Sequence, residues 1–168
     1  MTLRVKSAVT AVVFLGLIAG VLPYLASRWF APVAVPVAAR AAGGALAAAG
    51  LALALWCIAL FVRVGEGTQS PKDPPKRLVT AGPYALVRNP MLTGVSLLLA
   101  GEAVAFASPG IAAYAAAFFA LAEVLMLAVE EPALARRFGE EYEAYRRAVP
   151  RWLPRLRRGR AAARLHEG

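Results

Sequence analysis

Long apolar stretches alternate with short charged segments along this chain of 168 residues. No charged residue occurs in residues 7–27 or 41–62, and only Glu102 and Glu123 interrupt residues 89–129. A helix needs about 20 mostly apolar residues to cross the bilayer core of about 30 Å. The first two stretches therefore each predict one membrane span, and the third is long enough for two.

The third stretch carries Ser108-Pro109-Gly110 near its middle, a combination typical of a tight turn. The first stretch follows Arg4 and Lys6 and could also be a cleaved signal peptide, although the apolar part of such peptides usually has only about 7–15 residues. We therefore predict an all-α polytopic membrane protein with four transmembrane helices, at about residues 7–27, 41–63, 91–107 and 111–129.

A different pattern follows Glu131. Pro132 suits the first turn of a helix, and apolar residues then recur on one face with charged residues on the other. This pattern predicts an amphipathic helix at about residues 132–148 that lies on the membrane surface. We take residues 1–150 as one membrane-embedded domain and residues 151–168 as a basic tail, which we expect to be disordered.

Positive charge is distributed unevenly. Of the 19 lysine and arginine residues, ten follow Glu131 and five flank the loop between the second and third spans, whereas the turn at residues 108–110 carries none. The positive-inside rule then places both termini in the cytoplasm. We expect a protein of a bacterial inner membrane whose basic tail lies against the lipid bilayer, and not a nucleic-acid-binding protein.

Metal and disulfide chemistry find little support. Cys57 is the single cysteine and lies in the second predicted span, where it reads as a packing residue. His166 is the single histidine and is the third residue from the end of the sequence. We therefore expect no metal site.

Small residues are concentrated in the second span, where they permit close approach of another helix. We interpret this pattern as helix packing and not as a ligand site. They are Gly43, Gly44, Ala47, Ala48, Ala49 and Gly50.

Charged residues gather at one predicted boundary. Because the third and fourth spans are antiparallel, Arg88 and Asn89 before the third should meet Glu130 and Glu131 after the fourth. Glu123 lies seven residues, or two helical turns, before Glu130 and should share its face, about 10 Å deeper. Such a polar wedge with room between its charges would suit a zwitterionic small molecule. A purely structural ion pair between the two helix ends is the alternative.

Charged residues within spans are candidate functional residues by default. This applies also to Glu102, which lies in the other half of the third span, nearer the turn at residues 108–110.

Several motifs in a fixed order resemble those of the isoprenylcysteine carboxyl methyltransferase and phospholipid methyltransferase superfamily. The resemblance covers Gly65 to Pro150, about half of the chain. The motifs are Gly65-Glu66-Gly67-Thr68, then Gly82-Pro83-Tyr84 with Val87-Arg88-Asn89-Pro90-Met91 and Gly94, an apolar hairpin, Glu130-Glu131, Phe138-Gly139 with Tyr142 and Tyr145, and Val149-Pro150.

The resemblance implies an S-adenosylmethionine-dependent methyltransferase with its cofactor pocket at the cytoplasmic end of the last spans. This sequence differs from the family pattern at Asn89, where many members have histidine, and at Leu92, where they have an aromatic residue. Asparagine keeps its hydrogen-bonding capacity but does not titrate near neutral pH. The residues to which cofactor contact carries over are Gly65, Gly67, Arg88, Asn89, Pro90, Glu130 and Glu131.

Methyl transfer from a sulfonium needs mainly positioning and exclusion of water. A carboxylate acceptor needs no base, whereas an amine acceptor must lose a proton, for which Glu123 and Glu130 are candidates. Together with Arg88 these are the catalytic candidates, and a lipophilic small molecule or a lipid is the expected substrate. Tyr84, Tyr142 and Tyr145 are candidates to bind it.

Two other functions remain open at the level of sequence. The first is an NADPH-dependent reductase related to those of sterol metabolism, which resemble this superfamily at the C-terminal end. The second is a four-helix membrane scaffold without enzymatic activity, in which the charged residues are purely structural.

Overall fold

The computed structural model describes residues 3–66 and 76–154, and these residues form helices and connecting turns without any β-strand. The first apolar stretch is one composite helix, made of α1 (Leu3–Gly16), a wide π turn (Leu17–Val21) and α2 (Leu22–Ser27). A second π turn spans Met126–Glu130, and a short 3₁₀ turn spans Gly82–Ala85. The remaining helices are α3 (Val37–Arg63), α4 (Pro90–Ala105), α5 (Pro109–Leu125), α6 (Glu131–Phe138) and α7 (Glu140–Ala148).

Three helical stretches within the described residues are long and apolar enough to cross a membrane. They are Ala8–Ser27, Val37–Arg63 and Pro109–Phe138. The fourth apolar helix, α4, has 16 residues and at 1.5 Å per residue is about 24 Å long, which is short of the bilayer core. The all-helical architecture is thus confirmed, with three helical stretches that are able to span a membrane, and the count of four transmembrane helices stays a prediction.

Helices α3 and α4 lie backbone against backbone because glycines face each other across their contact. A Cβ atom added at Gly43 would lie 2.6 Å from the Ala105 nitrogen and 2.8 Å from the Gly101 oxygen. One added at Gly94 would lie 2.9 Å from the Gly50 oxygen. Real Cβ atoms do not come that close, so only glycine fits at these positions. The prediction that the small residues of the second span serve helix packing is confirmed for Gly43 and Gly50.

The buried core surrounds this pair of helices. Ala54, Val95 and Leu99 form its centre, and side chains of the composite first helix and of α5 pack against it, including Ile18 and Tyr114. The Tyr114 hydroxyl donates a 2.9 Å hydrogen bond to the Ile18 carbonyl oxygen. The first apolar stretch is therefore packed into the bundle.

A second buried cluster lies nearer the start of α4 and consists of Cys57, Val79 and Tyr84. Cys57 is completely buried and free, which confirms that it is a packing residue.

At the opposite end of the bundle, a tight turn joins α4 to α5 as predicted. The Ser108 side chain caps α5 by accepting a 3.3 Å hydrogen bond from the Ile111 nitrogen, and Pro109 follows in the first turn, where proline is favoured.

Helix α5 continues further than the sequence predicted. We expected the last span to end near residue 129 and a separate amphipathic helix to follow, but α5, the π turn and α6 form one helical stretch up to Phe138. Pro132 is tolerated because the π turn immediately before it already bonds with a five-residue spacing, from the Glu131 nitrogen to the Met126 oxygen. The break comes at Gly139 instead, where φ is +53° and ψ is −126°, a conformation that glycine alone adopts readily.

The amphipathic character of residues 132–148 is confirmed, but these residues form two helices, α6 and α7, and not one. Tyr142 and Tyr145 are buried, and Leu134 and Phe138 are partly buried on the same side. The charged residues of the other side are exposed, namely Arg136, Arg137, Glu140, Glu141 and Arg147.

Candidate functional site

The predicted charged residues meet at one end of the bundle, which we call the charged end: the end at which α4 begins and α6 follows the second π turn. The Arg88 Nη1 donates a 2.9 Å hydrogen bond to Glu131 Oε1 and lies 3.5 Å from the Tyr142 hydroxyl oxygen. Both partners of the ion pair are nearly buried, with side chains 11% and 9% exposed. The expected meeting of the residues before α4 with a carboxylate after α5 is therefore found.

A second arginine, which the sequence analysis missed, completes this ion pair. Arg151 donates from Nε to Glu131 Oε1 at 3.0 Å and from Nη2 to Glu131 Oε2 at 3.1 Å. Its Nη1 also donates to Glu123 Oε1 at 3.2 Å. The sequence places Arg151 at the start of the predicted disordered tail, but the structure shows that it joins two carboxylates of the last long helical stretch. The tail from residue 155 onward lies outside the described residues.

Glu130 does not belong to this group, contrary to the expected column of Glu123 and Glu130. Glu130 is exposed, and it is Glu131 that shares Arg151 with Glu123. The reason is the π turn at Met126–Glu130, which takes up one residue more than an α-helical turn. The residue on the face of Glu123 therefore comes eight positions later instead of seven.

The three tyrosines proposed to bind substrate hold the charged end together. The Tyr145 hydroxyl donates a 2.8 Å hydrogen bond to the Tyr84 carbonyl oxygen, which ties α7 to the 3₁₀ turn before α4. Burial raises the pKa of Tyr84 and of Tyr145. Burial also raises the pKa of Tyr142, as does the neighbouring Glu131 carboxylate, while the Arg88 cation lowers it. All three hydroxyl groups therefore stay protonated at neutral pH and can act as hydrogen-bond donors.

The glycine motif after α3 lies at the same end. The Gly65 carbonyl oxygen accepts hydrogen bonds from the backbone nitrogens of Lys76 at 2.7 Å and Arg77 at 3.3 Å. These bonds close the base of the loop between α3 and α4. Glu66 forms an exposed ion pair with Arg77 at 3.3 Å, while Gly67 lies outside the described residues.

Three buried polar atoms at the charged end have no hydrogen-bond partner among the described residues. They are Arg88 Nε, Asn89 Nδ2 and Glu123 Oε2. Two of these atoms are donors and the third is an acceptor. Since buried polar groups are otherwise almost always satisfied, these three atoms are candidate contacts for a ligand with a matching acceptor and donor.

The predicted space for a ligand between Arg88 and Glu131 is not found, because these side chains are in direct contact. A groove of about 500 Å³ lies instead beside the base of the loop. It is partly open and lined by both polar and apolar groups, and its wall includes residues of α6 and α7. Its lining residues are Arg63, Val64, Glu66, Lys76, Arg77, Leu78, Phe138 and Glu141.

The remaining predicted site residues are placed as follows. Pro90 begins α4 and is buried. Glu102 lies near the far end of α4, separate from the charged end, and its Oε2 atom is another buried oxygen without a partner among the described residues. In the part of the chain that the structure describes, no three histidine, cysteine, aspartate or glutamate residues come together as metal ligands would.

Comparisons with known proteins agree with the architecture. The sequence pattern of the phospholipid methyltransferase family matches residues 38–141, more than half of the chain. The chain is also similar to the nickel-cobalt-cadmium resistance protein NccN of Alcaligenes xylosoxydans xylosoxydans, with 32% identity over 102 residues, or 61% of this chain and 43% of that protein. It thus spans less than half of the length of that relative. No solved structure matches the chain. This protein therefore belongs to the phospholipid methyltransferase family of integral-membrane methyltransferases.

Proposed function

We propose that this chain transfers the methyl group of S-adenosylmethionine to a lipophilic acceptor, a carboxylate or an amine, at the cytoplasmic boundary of the membrane. Family membership supports methyl transfer. The observation that carries the site assignment is the set of three buried, unpartnered polar atoms on Arg88, Asn89 and Glu123.

These atoms match the amino-acid end of the proposed cofactor. Arg88 Nε and Asn89 Nδ2 are donors on consecutive residues and suit a carboxylate, and Glu123 Oε2 is an acceptor that suits an ammonium group. Asn89 is 6% exposed, so its amide is desolvated and a hydrogen bond made there is stronger than one made in water. Asparagine thus supplies a donor at the position where many relatives have histidine, with no titration near neutral pH.

Bound S-adenosylmethionine supplies an already activated methyl group on a sulfonium. The chain therefore needs to orient the two reactants and exclude water, without a nucleophilic side chain of its own. Arg88 and Asn89 are positioned for orientation at the start of α4. The carboxylate of Glu131 is held by two arginines, so we assign it the role of fixing Arg88. Glu123 has one free oxygen, Oε2, and we assign that oxygen to the ammonium group of the cofactor.

We propose the groove beside Gly65 as the place for the larger part of the ligand, although none of the three unpartnered atoms lines it. Its wall includes Glu141 of α7, and the next residue, Tyr142, contacts Arg88. A lipophilic acceptor would enter sideways from the bilayer, since the charged end lies at the boundary of the apolar helices. The positive charges around the loop and after Glu131 support a cytoplasmic position of this end.

A membrane scaffold is the second candidate, because the direct contacts of Arg88 and Arg151 with Glu131 would also serve to hold helix ends together. A reductase finds no such support in the site, and the family match favours methyl transfer over reduction.

The test is cofactor binding to the full chain in lipid nanodiscs, measured by calorimetry with S-adenosylmethionine and separately with NADPH. We expect saturable binding of S-adenosylmethionine only. Glu123→Gln should weaken it on the order of tenfold or more, as the loss of a charge-assisted hydrogen bond predicts. The matched control is Glu143→Gln, which removes only a surface ion pair with Arg146. Binding of NADPH without binding of S-adenosylmethionine would overturn the proposal. Binding of neither compound would favour the second candidate, a membrane scaffold without enzymatic activity.

A further inference from the structure

The segment Pro150–Trp152, which we call the strap, lies outside the stretch that matches the family pattern and yet completes the charged end. The Pro150 carbonyl oxygen accepts a 2.8 Å hydrogen bond from the Arg88 nitrogen, and the Arg151 carbonyl oxygen accepts one of 3.4 Å from the Asn89 nitrogen. The Trp152 ring lies 5.2 Å from that of Phe119 on α5. The strap thus bonds to the turn before α4 and reaches across to α5.

Arg151 places its guanidinium between the two carboxylates of the site. It binds both oxygens of Glu131 and one oxygen of Glu123, and among the described residues no other side chain bonds to both. Its side chain is 25% exposed, so water does not fully screen its charge. Bidentate bonding fixes orientation as well as distance. The free Oε2 of Glu123 is therefore held in place by the bond that Arg151 makes to the other oxygen.

The charges of the site balance only when Arg151 is counted. Arg88 and Arg151 carry two positive charges, and Glu123 and Glu131 carry two negative charges. Without Arg151 the group would have one uncompensated negative charge in a partly desolvated place. That change would favour a cationic ligand over a neutral one, because a unit charge about 10 Å away at an effective dielectric constant near 20 is worth on the order of tenfold in affinity.

We propose that Arg151 is a positioning residue of the site. It orients Glu123 and Glu131, and its positive charge sets the net charge of the site and thereby the preference for a cationic or a neutral ligand. This inference rests on the proposed function, in which the cofactor binds at these residues. S-adenosylmethionine carries a sulfonium charge that its product, S-adenosylhomocysteine, lacks. The ratio of the two affinities therefore reports the charge of the site, and a merely structural role of the strap would not change it.

The experiment measures both dissociation constants on the full chain in nanodiscs for three variants. Arg151→Gln removes the charge and should shift the ratio on the order of tenfold towards S-adenosylmethionine. Arg151→Lys keeps the charge but loses the two-pronged bonding, so it should leave the ratio unchanged while both ligands bind several-fold more weakly. Arg147→Ala, an exposed arginine of the same region, is the control and should change neither.

The outcomes separate the two proposals. An unchanged ratio in Arg151→Gln, or unchanged affinities in Arg151→Lys, would overturn the role of Arg151 while leaving the proposed function standing. A wild-type protein that binds neither ligand would overturn both. If Arg151→Gln does not fold, the affinities of Arg151→Lys still decide the positioning role.

Discussion

The neighbouring glycines Gly43 and Gly44 of α3 should respond to the same substitution with opposite signs. A Cβ atom at Gly43 would lie 2.6 Å and 2.8 Å from backbone atoms of α4, whereas one at Gly44 would meet nothing within 4 Å. Backbone atoms cannot rotate away as a side chain can, so Gly43→Ala must push α3 and α4 apart.

The magnitude follows from two terms. Overpacking of a tight contact costs about 1–3 kcal/mol, and replacing glycine by alanine within a helix contributes about 1 kcal/mol of stabilisation. Gly43→Ala should therefore lower the free energy of unfolding by up to about 2 kcal/mol, since the overpacking outweighs the helical gain. Gly44→Ala should raise it by up to about 1 kcal/mol, because only the helical term applies there.

The assay is unfolding of the purified protein in mixed micelles by increasing denaturing detergent, followed by loss of helical circular dichroism. The pair of variants differs by one position in the same helix, so the membrane environment and the chemistry of the substitution are matched. Equal shifts of the unfolding midpoint in the same direction for both variants would refute the claim that glycine is needed for the contact between α3 and α4.

Two further predictions concern the charged end. Glu131→Gln should weaken S-adenosylmethionine binding at least tenfold and lower the free energy of unfolding by about 3 kcal/mol, because it leaves two partly buried arginines without their carboxylate. Glu143→Gln, which removes only a surface ion pair with Arg146, should do neither. Calorimetry and unfolding in detergent check both expectations. Tyr145→Phe should cost about 1 kcal/mol of stability by removing the hydrogen bond to the Tyr84 carbonyl oxygen. Burial raises the pKa of Tyr145 above its ordinary value of 10.0, so its stabilising effect should be complete below about pH 10 and be lost as the pH rises further. Unfolding measured along a pH series should therefore show a smaller alkaline loss of stability for Tyr145→Phe than for the wild type, and equal losses would contradict this reasoning.

The apolar spans could be predicted from sequence because the bilayer sets the length that a spanning helix needs. The turn at Ser108–Gly110 and the glycine packing of α3 followed equally from local sequence signals. The meeting of Arg88 with a carboxylate after α5 followed from topology alone, since antiparallel helices joined by a short turn bring their outer ends together.

The precise composition of the charged end could not be predicted in this way. Choosing Glu131 over Glu130 depends on the π turn, which changes the hydrogen-bond spacing of the helix without altering the apolar pattern that a periodicity analysis detects. Arg151 was missed because its contacts to Glu123 and Glu131 bridge 28 and 20 residues, and its surroundings in sequence look like a basic tail. The one available signal was the dipeptide before it, Val149-Pro150, which ends α7 and redirects the chain.

The most direct test of the central claim is methyl transfer by the membrane-embedded protein itself. Membranes with the wild-type chain, with Glu123→Gln and with the control Glu143→Gln would be supplied with S-adenosylmethionine carrying a deuterated methyl group, and the extracted lipids and small lipophilic molecules would be analysed by mass spectrometry. We predict a species heavier by one labelled methyl group with the wild type and the control, and its loss or strong reduction with Glu123→Gln. Labelling that is equal in all three samples and in membranes without the protein would contradict the account.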